Sequence, residues 1–110
     1  MKSTTANWDY QHYFAYALIY IAEMHYNISP AELDFIKNHT GLESVAEIDA
    51  LVKANSDIES MDILQEFKAR FLNTPEKENA VRKDLEALFA VEHHHQQFEK
   101  AALHLIEKIL

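Results

Sequence analysis

Four residues combine the side-chain types and the spacing that metal binding needs: His25, Glu92, His93 and His95. Glu92 and His95 stand at i, i+3, so a helix running through them places both on one face. His93 or His94 adds a neighbouring imidazole, and the turn around Glu23, His25 and Asn27 offers donors from an earlier part of the chain. Imidazole with carboxylate suits zinc, nickel or copper, whereas calcium and magnesium want an all-oxygen shell. The candidate cofactor is therefore a divalent transition metal, zinc or nickel. A simpler reading competes with it. His25 and His95 each fall at the C-terminal end of an apolar helix, where an imidazole meets free carbonyls and the negative end of the helix dipole. That is the commoner role for such a histidine, and it needs no metal.

Other chemistry finds less support, and a non-enzymatic chain is expected. There is no HExxH, no HxE followed by paired cysteines, no GxSxG and no glycine-rich phosphate loop. Ser29, Ser44, Ser56 and Thr74 are better placed as helix caps than as nucleophiles. Segment 23–34 has a helix–loop–helix outline but lacks the oxygen ligand series and the sixth-position glycine of a calcium loop. The tyrosines between Tyr10 and Tyr20 recur at helical spacing, which fits core packing better than a binding platform.

These residues sit in a repeated unit. Shifted by seventy positions, 17–39 lies without a gap on 87–109, and six of the 23 pairs are identical: Ala17/Ala87, Leu18/Leu88, His25/His95, Ala31/Ala101, Leu33/Leu103 and Ile36/Ile106. Four more pairs stay apolar: Ile19/Phe89, Ile21/Val91, Ile28/Phe98 and Phe35/Leu105. Each copy reads as an apolar helix end, a polar segment with a histidine, one apolar residue and a second helix.

The spacing predicts five or six helices. Asn7 is placed to cap the first, with Asp9 in its first turn. Phe14, Leu18, Ile21 and His25 follow at helical intervals, and the tyrosines make this helix apolar all round, as befits a central one. Ser29-Pro30-Ala31-Glu32 is a capping box with proline at the first helical position, flanked by Ile28 and Leu33 as a hydrophobic staple. Gly41 is placed to end that helix. A second box, Ser44 with Glu47, opens a third helix, Ser56 or Ser60 caps a fourth, and Thr74-Pro75 opens a fifth. The polar run Glu92, His95, Glu99 interrupts the last apolar stripe, which predicts a break near His94–Gln97.

With 110 residues, one glycine and two prolines, the chain reads as a single all-α domain over 1–110. A net charge of −8 argues against nucleic acid and anionic membrane and favours a bound cation or a basic protein partner. The absence of cysteine suits a cytoplasmic setting. The uncharged run Tyr13–Ala22 is too short for a membrane span and starts too late for a signal peptide. Apolar helix faces suit a core or a homo-oligomer seam equally.

Ala17–Ala22, Met24-His25-Tyr26-Asn27 and Ile28-Ser29-Pro30-Ala31-Glu32, with their second copy in Ala87–Val91, His94-His95-Gln96-Gln97 and Phe98, resemble the TerB-like (tellurite-resistance protein B-like) superfamily of small bacterial helical domains. The resemblance covers both ends of the chain, and the middle only by helix content. It implies a non-enzymatic, stress-associated domain, with metal binding through acidic residues of the repeat turns. Here His25 and His95 replace the family's acidic residue, Tyr26 and Gln96 replace its glycine, and Ala102 stands at the second-copy counterpart of Glu32. Glu32 alone keeps a matching carboxylate and is on that ground the fifth candidate ligand; a histidine-based site would be a replacement for the family's own. The alternative is an acidic adaptor or immunity-type module that neutralises a basic protein.

Overall fold

The computed structural model describes residues 8–25, 27–90, 100, 103 and 104, the side chains of 25 and 88–90 excepted. It is an all-α bundle whose described residues up to Ala90 form five helices: α1 (Tyr10–His25), α2 (Pro30–Thr40), α3 (Val45–Ala54), α4 (Asp57–Phe71) and α5 (Pro75–Ala90). No strand occurs among the described residues, and none of their helices is long and apolar enough to cross a membrane. The predicted break near His94–Gln97 and the second repeat turn lie outside the described residues.

The uncharged run of α1 dictates the architecture. Every residue from Tyr13 to Ala22 is buried, and α1 packs against α2, α3 and α4. A helix apolar on all sides has no solvated face to offer, so the other helices must surround it. Ile36, Val45, Ile48, Val52, Leu64, Phe67, Val81 and Leu85 are the inward residues of the surrounding helices. Each such side chain contributes about 1.5–3 kcal/mol by leaving water.

Tyrosine lets α1 be buried while still setting the register of its neighbours. The Tyr16 hydroxyl lies 2.7 Å from Ser60 Oγ and accepts the Asn55 amide at 3.0 Å. Tyr13 donates to Glu66 and accepts from Arg70 Nη1 at 2.8 Å. Tyr20 donates to Asp57 at 3.5 Å, and Tyr10 to Asp84 on α5 at 2.8 Å. As the α1 number rises the α4 number falls, so the two helices run antiparallel. A buried hydroxyl costs free energy unless it is paired, and these pairings also select one register.

The expected helix starts divide cleanly. Ser29 and Glu32 form both bonds of the capping box, and Gly41 ends α2 at φ 75°, a conformation that suits glycine. Ser56, and not Ser60, caps α4, again with a complete box through Glu59. Thr74 Oγ1 receives the Lys77 amide ahead of α5. Two expectations are overturned. Ser44 makes no side-chain cap: its ψ of 18° carries the hydroxyl away from the Glu47 amide, and only its carbonyl joins the helix, at 3.0 Å from the Ile48 nitrogen. At α1, Asp9 precedes the helix instead of lying in its first turn. Its carboxylate takes the amides of Gln11 and His12, the capping position assigned to Asn7, which itself lies outside the described residues.

Candidate functional site

Of the five expected metal ligands, only Glu32 has a described side chain. It is buried, and its Oε1 accepts the Ser29 amide at 2.9 Å while Ser29 Oγ accepts the Glu32 amide at 3.1 Å. The carboxylate that keeps the resemblance is thus engaged in building the start of α2. His25 closes α1, but its side chain, with Glu92, His93 and His95, lies outside the described residues. Among the described residues no group of three or more His, Asp or Glu side chains is placed to hold a metal ion.

The C-terminal end of α1 does carry a charged cluster with α3. Glu23 comes from the last turns of α1, and Asp49 and Lys53 from one face of α3 at i, i+4. Lys53 Nζ lies 3.2 Å from Asp49 Oδ2 and 3.7 Å from Glu23 Oε2. Glu23 Oε1 accepts the Ile28 amide at 3.3 Å, which ties the cluster to the residue just before the α2 cap. Two shielded oxygens, Glu23 Oε2 and Asp49 Oδ1, receive no hydrogen bond. Burial, and then the neighbouring Asp49 carboxyl group, push Glu23 above the usual carboxylate range, while Lys53 opposes them. Lys53 is itself raised, chiefly by its hydrogen bond to Asp49.

A second constellation joins three helices. Asp84 on α5 accepts the Tyr10 hydroxyl at Oδ2, and its Oδ1 lies 2.6 Å from His39 Nε2 on α2. A carboxylate beside an imidazole is half of a hydrolytic triad, yet here the hydroxyl donates to the carboxylate itself. Burial and Asp84 push the Tyr10 hydroxyl far above its ordinary value, so it stays protonated and cannot serve as a nucleophile. The arrangement acts as a clamp of α2 and α5 onto the N-terminal turn of α1.

The third feature is a shallow groove of about 400 Å³ between the start of α1 and α3, lined by Trp8, His12, Ser44, Glu47, Ile48 and Leu51. Trp8 stacks on His12 with ring centroids 5.8 Å apart, and its other ring contacts are with Tyr13 and Tyr16. His12 Nδ1 lies 2.9 Å from Asp9, whose carboxyl group is held low chiefly by that contact.

Sequence reasoning pointed to the α1–α2 turn and to Glu23 just before it, and the Asp49–Lys53 pair is readable from its spacing. The Tyr10–Asp84–His39 clamp was missed, because a partner 45 or 74 residues away leaves no periodic trace. Compared with known proteins, the chain matches no family model, no curated protein and no solved structure.

Proposed function

We propose that the chain is a non-enzymatic, TerB-like helical module of the bacterial cytoplasm that works by binding, and that the partner it suits best is a basic protein surface. The TerB-like part rests on the Ala17–His39 unit and its capping box with buried Glu32. Its association with stress and tellurite resistance is carried by that resemblance alone.

One observation carries the choice of partner. Between Glu43 and Asp62 stand six carboxylates, Glu43, Glu47, Asp49, Asp57, Glu59 and Asp62, against Lys53 alone, so this short stretch holds −5 of the chain's −8. All of them but Asp49 are exposed, and Ile58, 76% exposed, stands in the first turn of α4 beside Asp57 and Glu59 and one turn before Asp62. Capping and the helix dipole account for Asp57 and Glu59. Neither accounts for an isoleucine in water beside them. An apolar anchor flanked by acids on one helix fits a basic segment that brings its own apolar residue. An isologous homodimer through this patch would set like charges against each other.

The test is capture of host proteins on the immobilised chain at low and high salt, repeated with Asp57→Lys/Asp62→Lys and with Ile58→Asp. Capture should be strong at low salt, weaken as salt screens the charges, and fall in both variants. Capture indifferent to salt and to both variants refutes the reading. The zinc or nickel reading stands on His25, Glu92, His93 and His95, with Glu32 already engaged by Ser29.

A further inference from the structure

The seam between α1 and α3 holds more negative charge than its neighbours balance. Two carboxyl groups, Glu23 and Asp49, are almost wholly buried there, and the cation that serves both, Lys53, has its side chain 61% in solvent. The shielded Asp49 Oδ1 receives no hydrogen bond, and the shielded Glu23 Oε2 has only the Lys53 ammonium, at 3.7 Å, beyond hydrogen-bonding distance. A buried second negative charge is costly, and so is a buried acceptor left unpaired. The two carboxyl groups converge on one ammonium, with Lys53 Nζ 3.7 Å from Glu23 Oε2 and 3.2 Å from Asp49 Oδ2. One proton removes both costs, because it cancels a charge and supplies the missing donor.

We propose that Glu23 and Asp49 share one proton across the α1–α3 seam, and that this proton latches the α1–α2 turn in place. The link to the turn is direct, since the other oxygen of Glu23 holds the Ile28 amide. The charged and titratable groups bearing on Glu23 are Asp49 and Lys53 from α3. On α2, Glu32 is engaged with Ser29.

The direction of the pH dependence follows from the raised value of Glu23. When the turn opens, Glu23 returns to water and becomes the stronger acid. Its protonated form therefore stabilises the closed turn fully below the ordinary glutamate value of 4.5, and that contribution is lost as pH rises through the raised folded value. Inside that window the opening equilibrium grows by at most about tenfold per pH unit.

The experiment is a carboxyl-carbon NMR titration of the full chain, with hydrogen exchange of the Ile28 amide followed over the same pH range. In the parent chain the Glu23 midpoint should lie above the ordinary glutamate range. Ile28 exchange should steepen with pH beyond its intrinsic dependence. In Glu23→Gln, where a neutral amide replaces the shared proton, the extra steepening should vanish. In Lys53→Met, the Glu23 midpoint should move higher still, because the charge opposing its rise has gone. A Glu23 carbon that titrates at its ordinary value overturns the latch, as does Ile28 exchange with only its intrinsic dependence. Should Glu23→Gln fail to fold, the parent chain and Lys53→Met decide the matter alone. Neither readout involves a partner, so failure here leaves the proposed binding function standing, and the reverse also holds.

Discussion

Removing one oxygen atom from the middle of α1 tests how the bundle obtains its register. Tyr16 is fully buried, and its hydroxyl meets the Ser60 hydroxyl, itself 1% exposed, and the Asn55 amide. Tyr16→Phe keeps the ring and its packing and deletes both bonds. Each intramolecular hydrogen bond is worth about 0.5–1.5 kcal/mol net, and a donor or acceptor left orphaned costs about 1–3 kcal/mol. Asn55 is half-buried and can turn towards water. Ser60 can fall back in part on a carbonyl in the preceding turn of its own helix, as serines within helices do. These escapes lower the sum, and the expected loss is about 2–3 kcal/mol. The assay is equilibrium urea unfolding, in which the midpoint should fall while the slope stays constant. The decisive comparison is Ser60→Ala alone and combined with Tyr16→Phe. If the hydroxyls hold each other, the double variant should cost less than the sum of the singles by about 1 kcal/mol. Costs that add within about 0.5 kcal/mol, or a Tyr16→Phe loss below that size, refute the account of α1 as a register-setting helix.

The two serine starts make a paired prediction: Ser29→Ala should cost about 1 kcal/mol in urea unfolding, whereas Ser44→Ala, whose hydroxyl caps nothing, should stay within about 0.5 kcal/mol. Calorimetric titration of tag-free protein with zinc and nickel separates the ligand candidates. Any heat of binding should disappear in His25→Ala/His95→Ala and persist in Glu32→Gln, because the Glu32 carboxylate is already bonded to the Ser29 amide. Binding lost in Glu32→Gln but kept without the two histidines would reverse that assignment.

Features that depend on a few consecutive residues were legible without coordinates. The Ser29–Glu32 box, the proline behind Ser29 and the left-handed Gly41 are local chemistry, and so is the Asp49–Lys53 pair one helical turn apart. The Ser44 motif shows where local reading fails. Its residue types match those of Ser29 and Ser56, but the chain enters α3 at ψ 18° where a capping serine is extended, and nothing within four residues announces that. The candidate site divides in the same way. The resemblance made Glu32 a candidate ligand, while its spacing from Ser29 announced the cap that the structure forms. Glu23 and Asp49 gain their chemistry from each other, across a seam that pairs residues far apart in the chain.

By itself, then, the sequence determined an all-α chain, the central place of the first helix with its uncharged run, and most of the helix starts. Periodicity, caps and composition act through neighbours three or four residues away, and a single chain displays those directly. Only the tertiary structure decided what the polar groups of the interior do. Tyr16 could have faced solvent, and Glu23 could have stood in water as an ordinary glutamate. Which hydroxyl meets Ser60, which carboxylates share Lys53 and which aspartate joins Tyr10 to His39 are set by the packing of helices around α1. Desolvation then makes each of those contacts matter, because a polar group buried in that packing must find its partner there.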